Sequence, residues 1–406
     1  MRIQREHSRG FSGKRRRGGG CLTLLMSIIF IFVVAFLGRE RFAEWLWRWI
    51  APPVERATLQ DARMAFQQAE LERSIQYARQ LYENDPDNID ALVLLARSLI
   101  YRSYSDLSHD VDRQQALSLT GNAVRRNPLD TQVLGIHAFV QQANGLSEDA
   151  SRVALRVIRS DSESITARLA LSLSYGSRGL FEAALREGEK AVEIANESAP
   201  DWRADAYRVL AIAHSDLGQY EQAAQAVETA ISYHRRLLPL HFERALYAIQ
   251  VGDMDTATAY YFNIIAFDEE NVKVRFRLCE LSSTLRETQA AIDWCNQVTE
   301  RAPGWSDGWY QLGREYYLQG DWRQAQIALN RCSTLQVAQN FPVEERRFEC
   351  WYLQGQAAEV LNDCESLMSL YDEYQQMAKE ADLGQSWVYP PGGPPICATP
   401  SPLPSG

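Results

Sequence analysis

Residues 309–325 read WYQLGREYYLQGDWRQA, and this stretch decides the fold. Trp309, Leu312, Gly313 and Tyr316 recur at helical spacing ahead of Gly320, and Trp322 and Ala325 begin a second run beyond it. The same frame recurs upstream. Small residues at Ala138, Ser172, Ala211, Ala245, Cys279 and Gly313 are spaced by 34, 39, 34, 34 and 34 residues. Ala150, Ala184, Ala223, Ala257, Ala291 and Ala325 follow them by 12, and Gly145, Gly179, Gly218, Gly252 and Gly320 fall between. Two antiparallel helices approach closely only where their facing side chains are small, and the intervening glycine supplies the backbone conformation that ends a helix. Each unit therefore reads as helix, glycine turn, helix.

This pattern resembles the tetratricopeptide repeat, W-x-x-L-G-x-x-Y followed by an Ala and a closing Pro. The fullest copy is Trp309, Leu312, Gly313, Tyr316, Gly320, Trp322 and Ala325; weaker copies run through Leu171, Ser172, Tyr175, Gly179, Phe181 and Ala184, and through Tyr207, Leu210, Ala211, Gly218, Tyr220 and Ala223. Closing prolines match at Pro128 and Pro303, with Pro86 in an early copy, and Arg286 stands where a turn glycine is usual. Leu92, Leu95, Ala96, Leu99 and Ala116 form a further unit whose insertion, around SYSDLSHDVD, is expected to be an exposed loop. Residues 57–88 resemble a first unit, and Trp351, Gly355, Ala358 and Tyr371 a divergent last one. The resemblance implies an all-α fold: a right-handed superhelix, an α-solenoid of eight or nine antiparallel helix pairs over 57–381.

Ahead of the repeats, Cys21 to Gly38 carries no charge, and its 18 residues at about 1.5 Å rise nearly match the hydrocarbon thickness of a bilayer. Arg2, Arg5, Arg9, Lys14, Arg15, Arg16 and Arg17 precede it, so the positive-inside rule keeps the N-terminus in the cytoplasm. Trp45, Trp47 and Trp49 suit the membrane interface, and Pro52 and Pro53 stop the helix. The expected division is a basic cytoplasmic tail over 1–20, one transmembrane helix over 21–38, an interfacial linker over 39–56, the solenoid over 57–381 and a Pro/Gly-rich disordered tail over 382–406. That places a single-pass protein in the cell membrane with its repeats outside the cytoplasm. Cleavage after Ala35, giving a secreted adaptor, is the competing reading.

The net charge of −10 hides an asymmetry, because residues 1–20 carry seven Lys/Arg against Glu6, about +6, which leaves about −16 downstream. An acidic solenoid repels a phosphate backbone, so no nucleic-acid partner is expected. Six of the seven cysteines, Cys279, Cys295, Cys332, Cys350, Cys364 and Cys397, crowd the last third without a C-x-x-C pair, and no histidine stands at zinc spacing. No metal or cofactor is expected. Cys279 and Cys295 lie symmetrically about the turn at 287, Cys332 and Cys350 about 341, and Cys364 with Cys397 would tie the tail back. Three disulfides, or small buried packing residues, both fit these positions.

Nothing in the chain marks an enzyme: G-x-S-x-G, the P-loop and the dinucleotide fingerprint are absent, and the histidines pair with no nucleophile signature. In tetratricopeptide-repeat proteins the first helices of successive units line a concave groove that receives peptides. Carried over by register, that face comprises Phe139, Gln142, Arg208, Ile212, Phe242, Leu246, Ile249, Phe276, Tyr310, Arg314 and Tyr317. The expected role is a scaffold or adaptor binding a protein or peptide there. The alternative is an accessory subunit of an envelope or polysaccharide assembly machine.

Overall fold

The computed structural model describes residues 57–397 except 110, 383, 385, 386, 391 and 392. The basic tail, the apolar span 21–38 and the linker 39–56 lie outside the described residues. Among the described residues no helix is long and apolar enough to cross a membrane.

Eighteen α-helices and no strand occur among the described residues, in nine successive pairs. The pairs are α1 (Leu59–Gln67) with α2 (Leu71–Asn84), α3 (Ile89–Ser105) with α4 (Val111–Arg126), and α5 (Thr131–Ala143) with α6 (Ser147–Ser160). Next come α7 (Ile165–Gly176) with α8 (Phe181–Glu197), α9 (Arg203–Asp216) with α10 (Tyr220–Tyr233), and α11 (Leu238–Gln250) with α12 (Met254–Phe267). The last three are α13 (Val272–Thr284) with α14 (Thr288–Arg301), α15 (Ser306–Gln319) with α16 (Trp322–Ala338), and α17 (Glu349–Val360) with α18 (Cys364–Glu380).

The repeat chemistry acts where the register places it. Ala138, Ser172, Ala211, Ala245 and Cys279 are buried at the crossing of the two helices, and the Ser172 hydroxyl donates to the carbonyl of Ala184, its partner in register, at 2.7 Å. The five turn glycines all hold left-handed φ values between 72° and 85°. Arg286 occupies the same place with φ 61°, so a residue carrying a β-carbon bears there the strain that glycine avoids. Side-chain caps from Asp130, Asn271, Asp253, Asp321 and Asp363 start helices by accepting a backbone N–H of the first turn.

The insertion of the second unit is not an exposed loop. It prolongs α3 to Ser105 and continues into a 3-10 turn over Leu107–His109, with Ser105 and Asp112 buried. Its backbone is held by the start of α13: Asn271 donates to the Ser105 carbonyl at 3.0 Å, the Lys273 ammonium donates to the Tyr104 carbonyl at 2.6 Å, and the Lys273 N–H donates to Asp106 at 2.9 Å. Buried carbonyls need donors, and the first turn of α13 supplies them. The five extra residues behind the single spacing of 39 lengthen α8 and form the 3-10 turn Pro200–Trp202.

The tail also departs from expectation. Residues 387–390 and 393–397 pack on the last pair instead of remaining disordered, with Trp387 only 4% exposed. Its indole meets the rings of Tyr352, Tyr371 and Tyr374 edge-on at 5.3–5.6 Å, and Tyr389 donates from its hydroxyl to Glu359 at 2.7 Å. Proline and glycine remove helix propensity, but four aromatic rings and a closing cystine supply burial enough to order the segment.

Candidate functional site: a closed lumen and an open cleft

The superhelix curls far enough for its second unit to meet its fifth, sixth and seventh across the concave side. Arg97 on α3 pairs with Asp205 on α9, through Nη2 to Oδ2 and through Nε to Oδ1 at 3.1 Å, and donates to the Asp201 carbonyl at 2.9 Å. Tyr101 donates to the same carboxylate at 2.9 Å. The Arg97 guanidinium lies between two rings, 4.3 Å from the centroid of Phe66 and 4.2 Å from that of Trp202. Beside it, His234 Nε2 donates to the Phe66 carbonyl at 2.8 Å, which leaves Nδ1 buried without a partner. Burial, with the Arg97 charge nearby, pushes this imidazole down to about 4.

Arg208 extends the seam. It pairs with Glu243 on α11 and stands 5.1 Å from the ring of Tyr104. Burial raises the Glu243 carboxyl, and Arg208 opposes that rise. These side chains join units two, five and six, and a pocket of about 270 Å³ lined by Phe66, Leu94, Arg97, Trp202 and His234 remains beside the seam.

Beyond the seam the concave side opens. A cleft of about 300 Å³ runs between α11 and α13, lined by Phe242, Leu246, Ile249, Tyr261 and Leu281 with Glu243, Lys273, Arg277, Glu280 and Thr284 at its polar margin. Leu246 is 47% exposed and forms the open part of this apolar lining. The Lys273 ammonium lies 4.5 Å from the Phe242 centroid; burial, with Arg277 nearby, lowers it to about 8. Arg277 pairs with Glu280 on the exposed wall.

Of the eleven residues expected on the inner face, the structure brings Phe242, Leu246 and Ile249 into this cleft. Phe139 is buried in the main apolar core and Arg208 in the seam, while Gln142 and Ile212 are half-buried. Phe276 packs edge-on against Trp305 at 4.8 Å, and Tyr317 against Trp322 at 5.0 Å. Tyr310 lies 4.5 Å beneath the Arg347 guanidinium, and Arg314 bonds Glu315 and Ser283 at 3.0 and 3.3 Å. Sequence reading missed Lys273 and Arg277, although their i, i+4 spacing puts them on one stripe of α13. It also missed Arg97 and Tyr101, which belong to a unit given no site residues.

All six late cysteines are bonded: Cys279 to Cys295, Cys332 to Cys350 and Cys364 to Cys397, with Cα separations of 5.3, 6.1 and 5.5 Å. Among the described residues no cluster of His, Cys, Asp and Glu could hold a metal ion.

Fold and site together define a solenoid of the tetratricopeptide-repeat type, partly closed on itself. Many solved structures resemble it, and three illustrate the likeness. The Cut9–Hcn1 hetero-tetramer of the APC/C aligns with a TM-score of 0.53 at 15% identity, over 79% of this chain and 60% of that one. This chain thus spans less than two thirds of the length of the Cut9–Hcn1 chain it matches. The human IFIT1 dimers with PPP-AAAA and with m7Gppp-AAAA each align at a TM-score of 0.50, at 14% and 15% identity, over 76% of this chain and 69% and 68% of theirs. No family model and no curated protein sequence matches the chain.

Proposed function

We propose that this protein is a membrane-anchored scaffold whose repeats face away from the cytoplasm and hold a protein or peptide partner in the cleft between α11 and α13. The observation that carries the reading is the apolar lining of this cleft, where Leu246 is exposed and the half-buried Ile249 and the buried Phe242 stand beside it. A partner inserts an apolar side chain there, and Lys273 and Arg277 orient its backbone or a carboxylate. The proposed anchor is the apolar stretch 21–38, with Arg2 to Arg17 on the cytoplasmic side. The reading assigns no catalytic step, metal or cofactor.

A photo-crosslinking amino acid at Leu246, compared with one at Phe262 as an exposed reference, tests this in native membranes. A discrete adduct at Leu246 that is absent at Phe262 supports the reading; equal smears at both, or none at either, overturn it. A second reading is RNA, because IFIT1 was solved with PPP-AAAA and shares the fold. The cations of the closed lumen count against it: Arg97 and Arg208 are each paired with a carboxylate, so they offer little charge to phosphate. Binding of a 5′-triphosphate oligoadenylate with a steep salt slope would favour RNA over a peptide.

A further inference from the structure

The three cystines differ in what a solvent-borne thiol can reach. Cys279, Cys295, Cys332 and Cys350 are fully buried, the first two between the paired helices of one unit and the others between α16 and the start of α17. Cys364 and Cys397 are both half-buried. Their bond closes the C-terminal strap over the last helix pair, and Cys364 is the first residue of α18.

Beneath the strap lies a socket shaped for it. Gly355 takes the register position of Gly313, and a β-carbon there would collide with the indole of Trp387. Tyr352, Tyr371 and Tyr374 surround that ring edge-on, the Tyr389 N–H donates to the Tyr371 hydroxyl at 3.3 Å, and Gln375 donates to the Trp387 carbonyl. Cys332–Cys350 ties α17 to α16 without the strap, while Leu367, Leu370, Met377 and Ala378 share the core of the last pair with Trp387.

We infer that Cys364–Cys397 is a thiol-exchange site, opened by an external dithiol, that releases the strap and uncovers the aromatic socket on the last unit. The attacking thiolate forms a mixed disulfide with one of the two cysteines and displaces the other as a thiolate. The second thiol of the reagent then resolves that intermediate. Two electrons and two protons pass to the cystine, leaving Cys364 and Cys397 as thiols and the dithiol oxidised to a disulfide. Selectivity comes from access, because a thiolate must approach along the S–S axis and only this bond has a solvent-facing side. The inference is independent of what the α11–α13 cleft binds.

The test uses the full-length chain in detergent, titrated with dithiothreitol, with differential alkylation read by mass spectrometry and the strap read by chymotrypsin cleavage after Trp387. Cys364 and Cys397 should become alkylatable at least tenfold faster than the other four cysteines, and cleavage at Trp387 should rise by a similar factor. The double variant Cys364→Ser/Cys397→Ser should show that cleavage without reductant while its far-ultraviolet circular dichroism is unchanged. Simultaneous reduction of all three cystines overturns the site. Reduction of the third bond with Trp387 still protected, in wild type or in the double variant, overturns the release.

Discussion

Replacing Arg97 by methionine should open the seam that closes the N-terminal half of the solenoid. The side chain is 5% exposed, its partner Asp205 is 1% exposed, and between them run two polar contacts, with a further donation from Arg97 to the Asp201 carbonyl. Removing the cation leaves a buried carboxylate with Tyr101 as its remaining donor. Breaking a buried pair from one side costs about 3–5 kcal/mol. At about 1.4 kcal/mol per factor of ten, the ratio of closed to open seam falls roughly 140- to 3,700-fold. Repeat proteins unfold nearly unit by unit, so the loss should be local. Hydrogen exchange of the full chain, read by mass spectrometry, should show that loss of protection across α3 and α9 with none in α15 to α18. Arg97→Met/Asp205→Leu should recover most of it, because no unpaired charge then remains in the interior. A loss under tenfold, or one spread equally to α15–α18, refutes the claim that this pair ties the units together.

Acid should weaken the same seam. His234 is held down near 4 when folded against about 6.5 when free, so its contribution is complete above 6.5 and declines as pH falls towards 4, by up to about 1.4 kcal/mol per unit. His234→Gln should flatten that stretch of the stability–pH curve measured by urea unfolding. Arg286→Gly should raise stability by about 0.5–1 kcal/mol, because the left-handed backbone at φ 61° costs an L-residue more than the chain entropy that glycine adds; a lower midpoint in thermal unfolding would contradict this. Leu246→Asp should abolish partner crosslinking from a photo-crosslinking amino acid placed instead at Ile249 of the same cleft, while leaving the melting temperature within a few degrees of wild type, since the Leu246 side chain is half exposed.

The helix pairs were legible because they rest on local chemistry. A small residue at the crossing, a left-handed turn and a second small residue twelve positions on can be read without knowing what lies across the molecule, and the five turn glycines adopt the conformation their placing requires. The tail was misread for the complementary reason. Composition counts Pro and Gly as disorder, yet Trp387 finds the space left by Gly355 thirty-two positions earlier, and a propensity scale holds no term for that contact.

The concave face shows where periodicity stops. Register tells which stripe of each first helix turns inward, and Phe242, Leu246 and Ile249 do turn inward together. It does not tell which inward stripes meet across the lumen, because that depends on curvature accumulated over several units. Arg97 and Asp205 are 108 residues apart and Lys273 reaches Tyr104 across 169, so their pairing is a property of the whole superhelix. One local sign was present. The second unit carries Arg97, Tyr101 and Tyr104 on one stripe at spacings of four and three, and a charged aromatic stripe facing inward on a helix needs a partner of opposite charge. Asp205, at the second residue after the start of α9 and on the same inner stripe as Arg208, is such a partner. The insertion and the five extra residues near Trp202 then act at one place: the first lengthens α3 and the second sets Trp202 against the Arg97 guanidinium, completing the contact between the second and fifth units.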